Sequence, residues 1–323
     1  MAQQTAIAKP LGRPTPAASP ELPFARSSKP RSLWTDAWRR LLRNRMAIVG
    51  MVIITVFALM AITADVLTPY DMNDQHHESV YRPPAWAPSG DSNYLLGTDG
   101  VGRDELSRLI YGARVSLVVG VVPVTLNLLI GTTLGMAAGY LGGRVDNLLM
   151  RLVDVFFAFP DLLLIIIMSV AFRETWIGQQ LGGLLIMFIA IAVTGWVGTS
   201  RIVRGQVLSQ KRKEYIEAAR AIGAGHFRIM SRHLMPNILA PLIVGVAFAI
   251  PGAIFTEAAL SFIGLGIRPP TASWGNMIQD GLASIYSNQV LIIAPAICVA
   301  LVMLSFTFLG DGLRDALDPR MKQ

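Results

Sequence analysis

Residues 46–64 read MAIVGMVIITVFALMAITA, a run without one charged side chain. Four further runs lack charge altogether: 115–143, 176–200, 234–256 and 281–310. Another stretch, 151–172, is apolar apart from Arg151, Asp154 and Asp161. About 20 apolar residues in a helix cross the hydrocarbon core of a bilayer. The gaps therefore give six candidate spans, at roughly 46–68, 113–140, 151–172, 182–203, 238–264 and 288–310. Within lipid each must be helical, because an open strand edge leaves its amides unpaired. The expected fold class is all-α, a polytopic membrane protein with six transmembrane helices. Composition agrees: 53% of the 323 residues are hydrophobic and only 15% charged, against about 25% charged in an ordinary soluble domain. Such a chain is not disordered. It also has too few charges to cover a soluble enzyme of this length.

Residues 1–45 precede the first span, and Pro10, Pro14, Pro16, Pro20, Pro23 and Pro30 punctuate them. They are expected to be a disordered cytoplasmic tail ahead of an uncleaved signal anchor. Lys and Arg set orientation. With the N-terminus in the cytoplasm, cytoplasmic segments hold nine in the tail, two (Arg144, Arg151), eight in 201–232 and three at the C-terminus. Outer segments hold six: Arg82, Arg103, Arg108, Arg114, Arg173 and Arg268. Both termini are then cytoplasmic. The formal charge of +7 reads as a topology signal, so membrane lipid is an expected partner and nucleic acid is not.

Much chemistry lacks its residues. His76, His77, His226 and His233 all lie outside the expected spans, which excludes haem ligation and an intramembrane Ser–His protease. The adjacent pair His76–His77 has no third ligand nearby in sequence. No lysine follows a glycine, so no phosphate-binding P-loop exists. Cys298, the single cysteine, excludes a disulfide framework and reads as a packing residue. Gly131, Gly135 and Gly139 form a stripe on one helix face that lets another helix approach closely. Pro123, Pro160, Pro241, Pro251 and Pro295 interrupt apolar segments and can open helices towards a pathway. Asp154, Asp161 and Glu257 are ionisable groups at membrane depth. Asp161 and Glu257 are candidate pathway residues.

The longest cytoplasmic loop, about 204–237, carries the functional signal. From Glu214 to Ile222 nearly every residue is a fair helix former, and Gly223 and Gly225 end that helix. A second helix is expected from about His226 to Leu234, closed by Pro236. Ala218, Ala219, Ala221 and Gly223 keep the profile thin, which suits insertion into a partner's groove. A basic interfacial loop lying on lipid phosphates is the other reading of the same pattern.

Glu217-Ala218-Ala219, then Gly223 and Pro236, resembles the EAA loop of importer-type ABC transporter permeases. Residues 95–117, LLGTDGVGRDELSRLIYGARVSL, and 310–320, GDGLRDALDPR, resemble signatures of dipeptide/oligopeptide permease C subunits. Pro83-Pro84-Ala85-Trp86, Leu260-Ser261-Phe262 and Trp274-Gly275 agree as well. The likeness covers about residues 31–323. It implies the type I ABC importer transmembrane domain over 113–310, preceded by a first helix and outer loop at 46–112 and followed by a cytoplasmic tail at 311–323. It implies a transport subunit rather than an enzyme, with ATP and Mg held by partner ATPases and no cofactor in this chain. Implied partners are a second, B-type permease, two cytoplasmic ATPases and an outer peptide-binding protein, assembled at the bacterial cytoplasmic membrane. Glu217, Ala218, Ala219, Gly223 and Pro236 would form the coupling element. Asp99, Arg103 and Asp104 either order the outer loop or dock the binding protein. Two other readings remain open: the same fold importing nickel or another small solute, and a secondary carrier without an ATPase.

Overall fold

The computed structural model describes residues 33–318. The described chain is helical, in the order α1 (Leu33–Leu41), α2 (Arg45–Ile62), α3 (Ala64–Leu67), α4 (Glu105–Leu141), α5 (Gly143–Phe157), α6 (Asp161–Ala171), α7 (Trp176–Gln179), α8 (Leu184–Gln210), α9 (Glu214–Ala221), α10 (His226–Arg228), α11 (Met235–Phe262), α12 (Trp274–Gly281) and α13 (Val290–Leu317). Five helical segments are long and apolar enough to cross a bilayer, and a sixth span exists if the bent pair α5–α6 counts as one. That pair is bent by 80°. The straight span expected at 151–172 is therefore broken, at Pro160, which has no N–H to give the ladder and disfavours helix at the preceding residue.

The central contact is α4 against α8. Gly131, Gly135 and Gly139 face α8 so closely that a Cβ on Gly135 would lie 2.8 Å from Val203 Cβ, and one on Gly139 2.9 Å from Val207 Cβ. The glycine stripe is thus a packing surface. Cys298 is buried in the main apolar cluster, with Val302 and Phe306 of the same helix. Trp274 of α12 is fully buried. Its indole N–H donates to Leu109 O at 3.0 Å, and its ring meets Phe57 of α2 edge-on at 5.3 Å. One side chain thereby joins α2, α4 and α12.

Three boundaries differ from expectation. Helix α4 starts at Glu105 rather than 113, because Asp104 caps it, accepting from Ser107 N–H at 2.8 Å. The early charges of α4, Glu105 and Arg108, are buried instead of solvated, and Arg108 pairs with Asp280. The expected disordered tail holds a helix where it is described: Ala37 and Leu41 of α1 pack on Ala47 and Ala316. Residues 1–32 lie outside the described residues. The separate C-terminal tail is, as far as Leu317, the continuation of α13.

Candidate functional site

The loop expected to act as the coupling element is built from its own backbone. Helix α9 ends in two bonds, Gly223 N–H to Arg220 O at 2.9 Å and Ala224 N–H to Ala219 O at 3.0 Å. This nested pair is a Schellman motif, which places the residue after the cap in the left-handed region. Gly223 sits there at φ +83°. The inner face of α9 buries Ile216 and Ala219 against Tyr140, Ile229, Leu234 and Ile238. Glu217 and Ala218 face outward. The two alanines, read together as a thin outer profile, therefore serve opposite sides. Ala219 lets α9 lie flat on its own chain, and only Ala218 is free to meet a partner.

Beyond Gly223 the expected second helix does not stop at Pro236. Residues Ile229–Leu234 form a π-turn that runs directly into α11, with Pro236 in the first turn of that helix. The i→i+5 register of a π-turn already leaves donors and acceptors offset, so a proline without an N–H is absorbed there. Sequence reading also missed two exposed apolar residues flanking the turn, Ile222 at 85% and Phe227 at 80% exposure. Their signal was present: large apolar side chains on either side of the glycines in an otherwise polar loop.

The segment is tied to the end of α4. Tyr140 Oη lies 3.0 Å from His226 Nδ1, Arg220 sits over the Tyr140 ring, and Lys211 Nζ donates to Gly139 O at 2.7 Å. Arg204 grips Asp146 of α5 with two bonds, at 2.5 and 2.7 Å. Tyr140→Phe keeps the ring and loses the hydroxyl. It is expected to lower stability by about 1 kcal/mol, read from thermal unfolding of the purified protein.

On the other face, the outer-loop residues turn inward. Asp99 Oδ1 accepts the N–H groups of Val101 and Arg103, and Asp99 Oδ2 pairs with Arg103 Nε at 2.6 Å. Arg108, only 2% exposed, reaches Asp99 at 3.6 Å and Asp280 of α12 at 3.2 Å. Asp104 is spent on the α4 cap, taking both the N–H and hydroxyl of Ser107. Burial pushes the Asp280 carboxyl above its ordinary range, against the pull of Arg108 and Arg103. Asp99, Arg103 and Asp104 are all buried, so the docking role expected for them has no exposed charge to act through. They staple the loop to α4 and α12. Near them His76 lies among the rings of Tyr70 and Tyr94. Among the described residues no group of three His, Cys, Asp or Glu could hold a metal.

The two candidate pathway carboxylates part company. Glu257 is fully buried, with Oε1 accepting from Ser261 and Ser273 Oγ at 2.7 Å each. It ties α11 to the start of α12. Asp161 instead lines a cavity of about 510 Å³ between α4, α6, α8 and α11. The walls are mostly aliphatic, interrupted by Asn127, Thr194, Thr199 and Thr256.

Residues 131–323 match the family described as binding-protein-dependent transport system inner membrane component. Residues 32–84 match the N-terminal transmembrane domain of oligopeptide transport permease C. The dipeptide transport system permease protein DppC of Bacillus subtilis is 42% identical over 89% of this chain and 86% of its own length. The oligopeptide transport system permease protein OppC of the same organism is 39% identical, covering 92% and 93%. OppC of Escherichia coli K12 is 39% identical, covering 90% and 92%. In fold, the chain is similar to a chain of the inward-facing MetNI methionine ABC transporter, with TM-score 0.53 and 20% identity over 66% of this chain and 97% of that one. The architecture is that of type I ABC importer transmembrane domains, and the chain belongs to the family of binding-protein-dependent transport system inner membrane components.

Proposed function

We propose that this permease subunit serves an ATP-driven importer that carries dipeptides or short oligopeptides across the bacterial cytoplasmic membrane. The observation that carries the reading is the α9 docking helix and its Schellman end, joined through a π-turn to α11, a wall of the cavity. A partner that grips α9 acts on the cavity through that connection. The peptide cargo follows from the dipeptide and oligopeptide permeases to which the chain is similar. ATP hydrolysis belongs to two partner ATPases. A B-type permease completes the pathway, and an outer binding protein delivers the peptide. The Lys and Arg distribution supports cytoplasmic termini.

Within the docking element Glu217 is placed to meet a basic group or a helix N-terminus on the ATPase. Ala218 keeps the outer surface flat, and Ile222 and Phe227 add apolar contact. The test is uptake of a labelled dipeptide by cells whose own copy of this gene is deleted and then restored. Restored uptake should require ATP. ATP-independent uptake would point to a secondary carrier instead. Gly223→Val forces a β-branched residue to φ +83°, a strain of about 1–3 kcal/mol. Uptake is expected to fall about tenfold while the chain still reaches the membrane at its normal level. Gly223→Asn, which tolerates the left-handed region, should keep most activity.

A further inference from the structure

We propose that Asp161, together with Asn127, receives the free ammonium terminus of the peptide while it crosses the cavity. The proposal rests on the peptide-importer reading above and assigns that pathway a chemical grip.

A cavity of about 510 Å³ is the size of a small-ligand site. Among the residues lining it, Asp161 is the only ionisable one, and no Lys, Arg or His joins it. Asp161 opens α6 just after the break at Pro160. Interrupted helices at membrane depth are where transporters build substrate contacts. The two arginines of the facing helix are committed elsewhere. On the facing helix α8, Arg201 pairs with Asp154 at 2.6 Å and Arg204 with Asp146 at 2.5 Å. Among the described residues Asp161 has no ion-pair partner.

Asn127 is a second, independent sign. It lines the same cavity, is 8% exposed, and its Oδ1 has no hydrogen-bond partner. Buried amide oxygens are normally satisfied. Its place depends on Gly195 of α8, where a Cβ would fall 2.7 Å from Asn127 Cγ. A dry apolar helix filling the cavity would strand the carboxylate as the amide oxygen is already stranded. A peptide brings what they lack: an ammonium for the carboxylate and, once the Asn127 amide turns out from Gly195 towards the cavity, an N–H donor for its oxygen. It also brings a carboxylate, and this wall offers that end no cation. The peptide therefore presents its amino terminus to this chain and its carboxyl terminus away from it. A water-exposed carboxylate holds an ammonium weakly, which suits a site that must release its cargo.

The test uses the purified complete transporter carrying Ile202→Cys as a reporter. Ile202 lines the cavity and is 55% exposed. Cys298, the only native cysteine of the chain, is buried and is replaced by alanine. Labelling of this chain by a cationic and an anionic methanethiosulfonate is followed by mass, relative to their rates with a free thiol. The cationic reagent should be favoured about fivefold, and Asp161→Asn should abolish the preference while Asp161→Glu restores it. Ala-Ala at millimolar concentration should slow labelling, whereas N-acetyl-Ala-Ala should not. Direct addition of the peptides bypasses selection by the binding protein. Equal protection by both peptides, or protection by Ala-Ala that survives Asp161→Asn, would overturn the assignment. If cells need this chain to take up Ala-Ala yet neither peptide protects, the ammonium site falls and the importer reading stands. If Ala-Ala uptake does not need this chain, the importer reading falls and takes the site with it.

Discussion

Arg108→Ala is expected to cost about 3–5 kcal/mol, the range for breaking a buried ion pair from one side. Arg108 is 2% exposed and bridges Asp99 and Asp280. Its loss leaves Asp280 with a single, longer contact to Arg103 at 3.5 Å. α4 would then lose its ion pair to α12, beside the Trp274 contact that joins α2, α4 and α12. The measurement is the thermal midpoint and membrane yield of the purified subunit complex. The double variant Arg108→Met with Asp280→Leu removes both bridging charges while Asp99 keeps Arg103. It should recover a large part of the loss, because replacing a buried pair by apolar groups is often close to neutral. A double variant no better than the single one would show that apolar packing cannot stand in for the bridge.

Gly135→Leu should be nearly as damaging, by a different route. A first carbon on Gly135 already sits 2.8 Å from Val203 Cβ, inside any van der Waals contact. The remaining carbons have nowhere to go, so α4 and α8 must separate. Overpacking of this kind costs about 1–3 kcal/mol and occasionally more. Here the separation also opens the contact that holds Asn127 against Gly195. Loss of folded protein, scored by size-exclusion recovery in mild detergent, is the expected result. Gly198→Ala is the matched control: its Cβ meets nothing within 4 Å, and recovery should be unchanged.

The spans were legible because lipid tolerates little charge, so charge gaps mark helices directly. The same rule misplaced the start of α4. Glu105 and Arg108 lie inside that helix but are buried, Arg108 paired with Asp99 and Asp280, and a count along the chain does not distinguish a buried charge from a solvated one. Pro160 was legible as an interruption, though not as an 80° bend, since the angle depends on what α6 packs against. At Pro236 local chemistry misled: a proline usually closes a helix, and only the preceding π-turn shows why this one does not. The left-handed Gly223 was readable from its position after a good helix. Which alanine faces inward was not, because that depends on how α9 rotates onto Tyr140 and Ile229. Asp161 and Glu257 looked alike in sequence. The two serines that claim Glu257 lie 4 and 16 residues further on, and the second is brought to it only by the fold.

His226–Phe262 is one continuous helical stretch. At 1.5 Å per residue its 37 residues reach about 55 Å, more than the thickness of a bilayer. One end follows directly on the turn at Gly223, and the middle lines the same cavity as Asp161. In the proposed importer, a push on the loop would not have to be relayed through a chain of neighbours, each of which could dissipate it. It would travel along a single shaft, with Pro241 and Pro251 as its compliant points. The subunit would then act as a crank, its stroke set at one membrane face and delivered inside the bilayer.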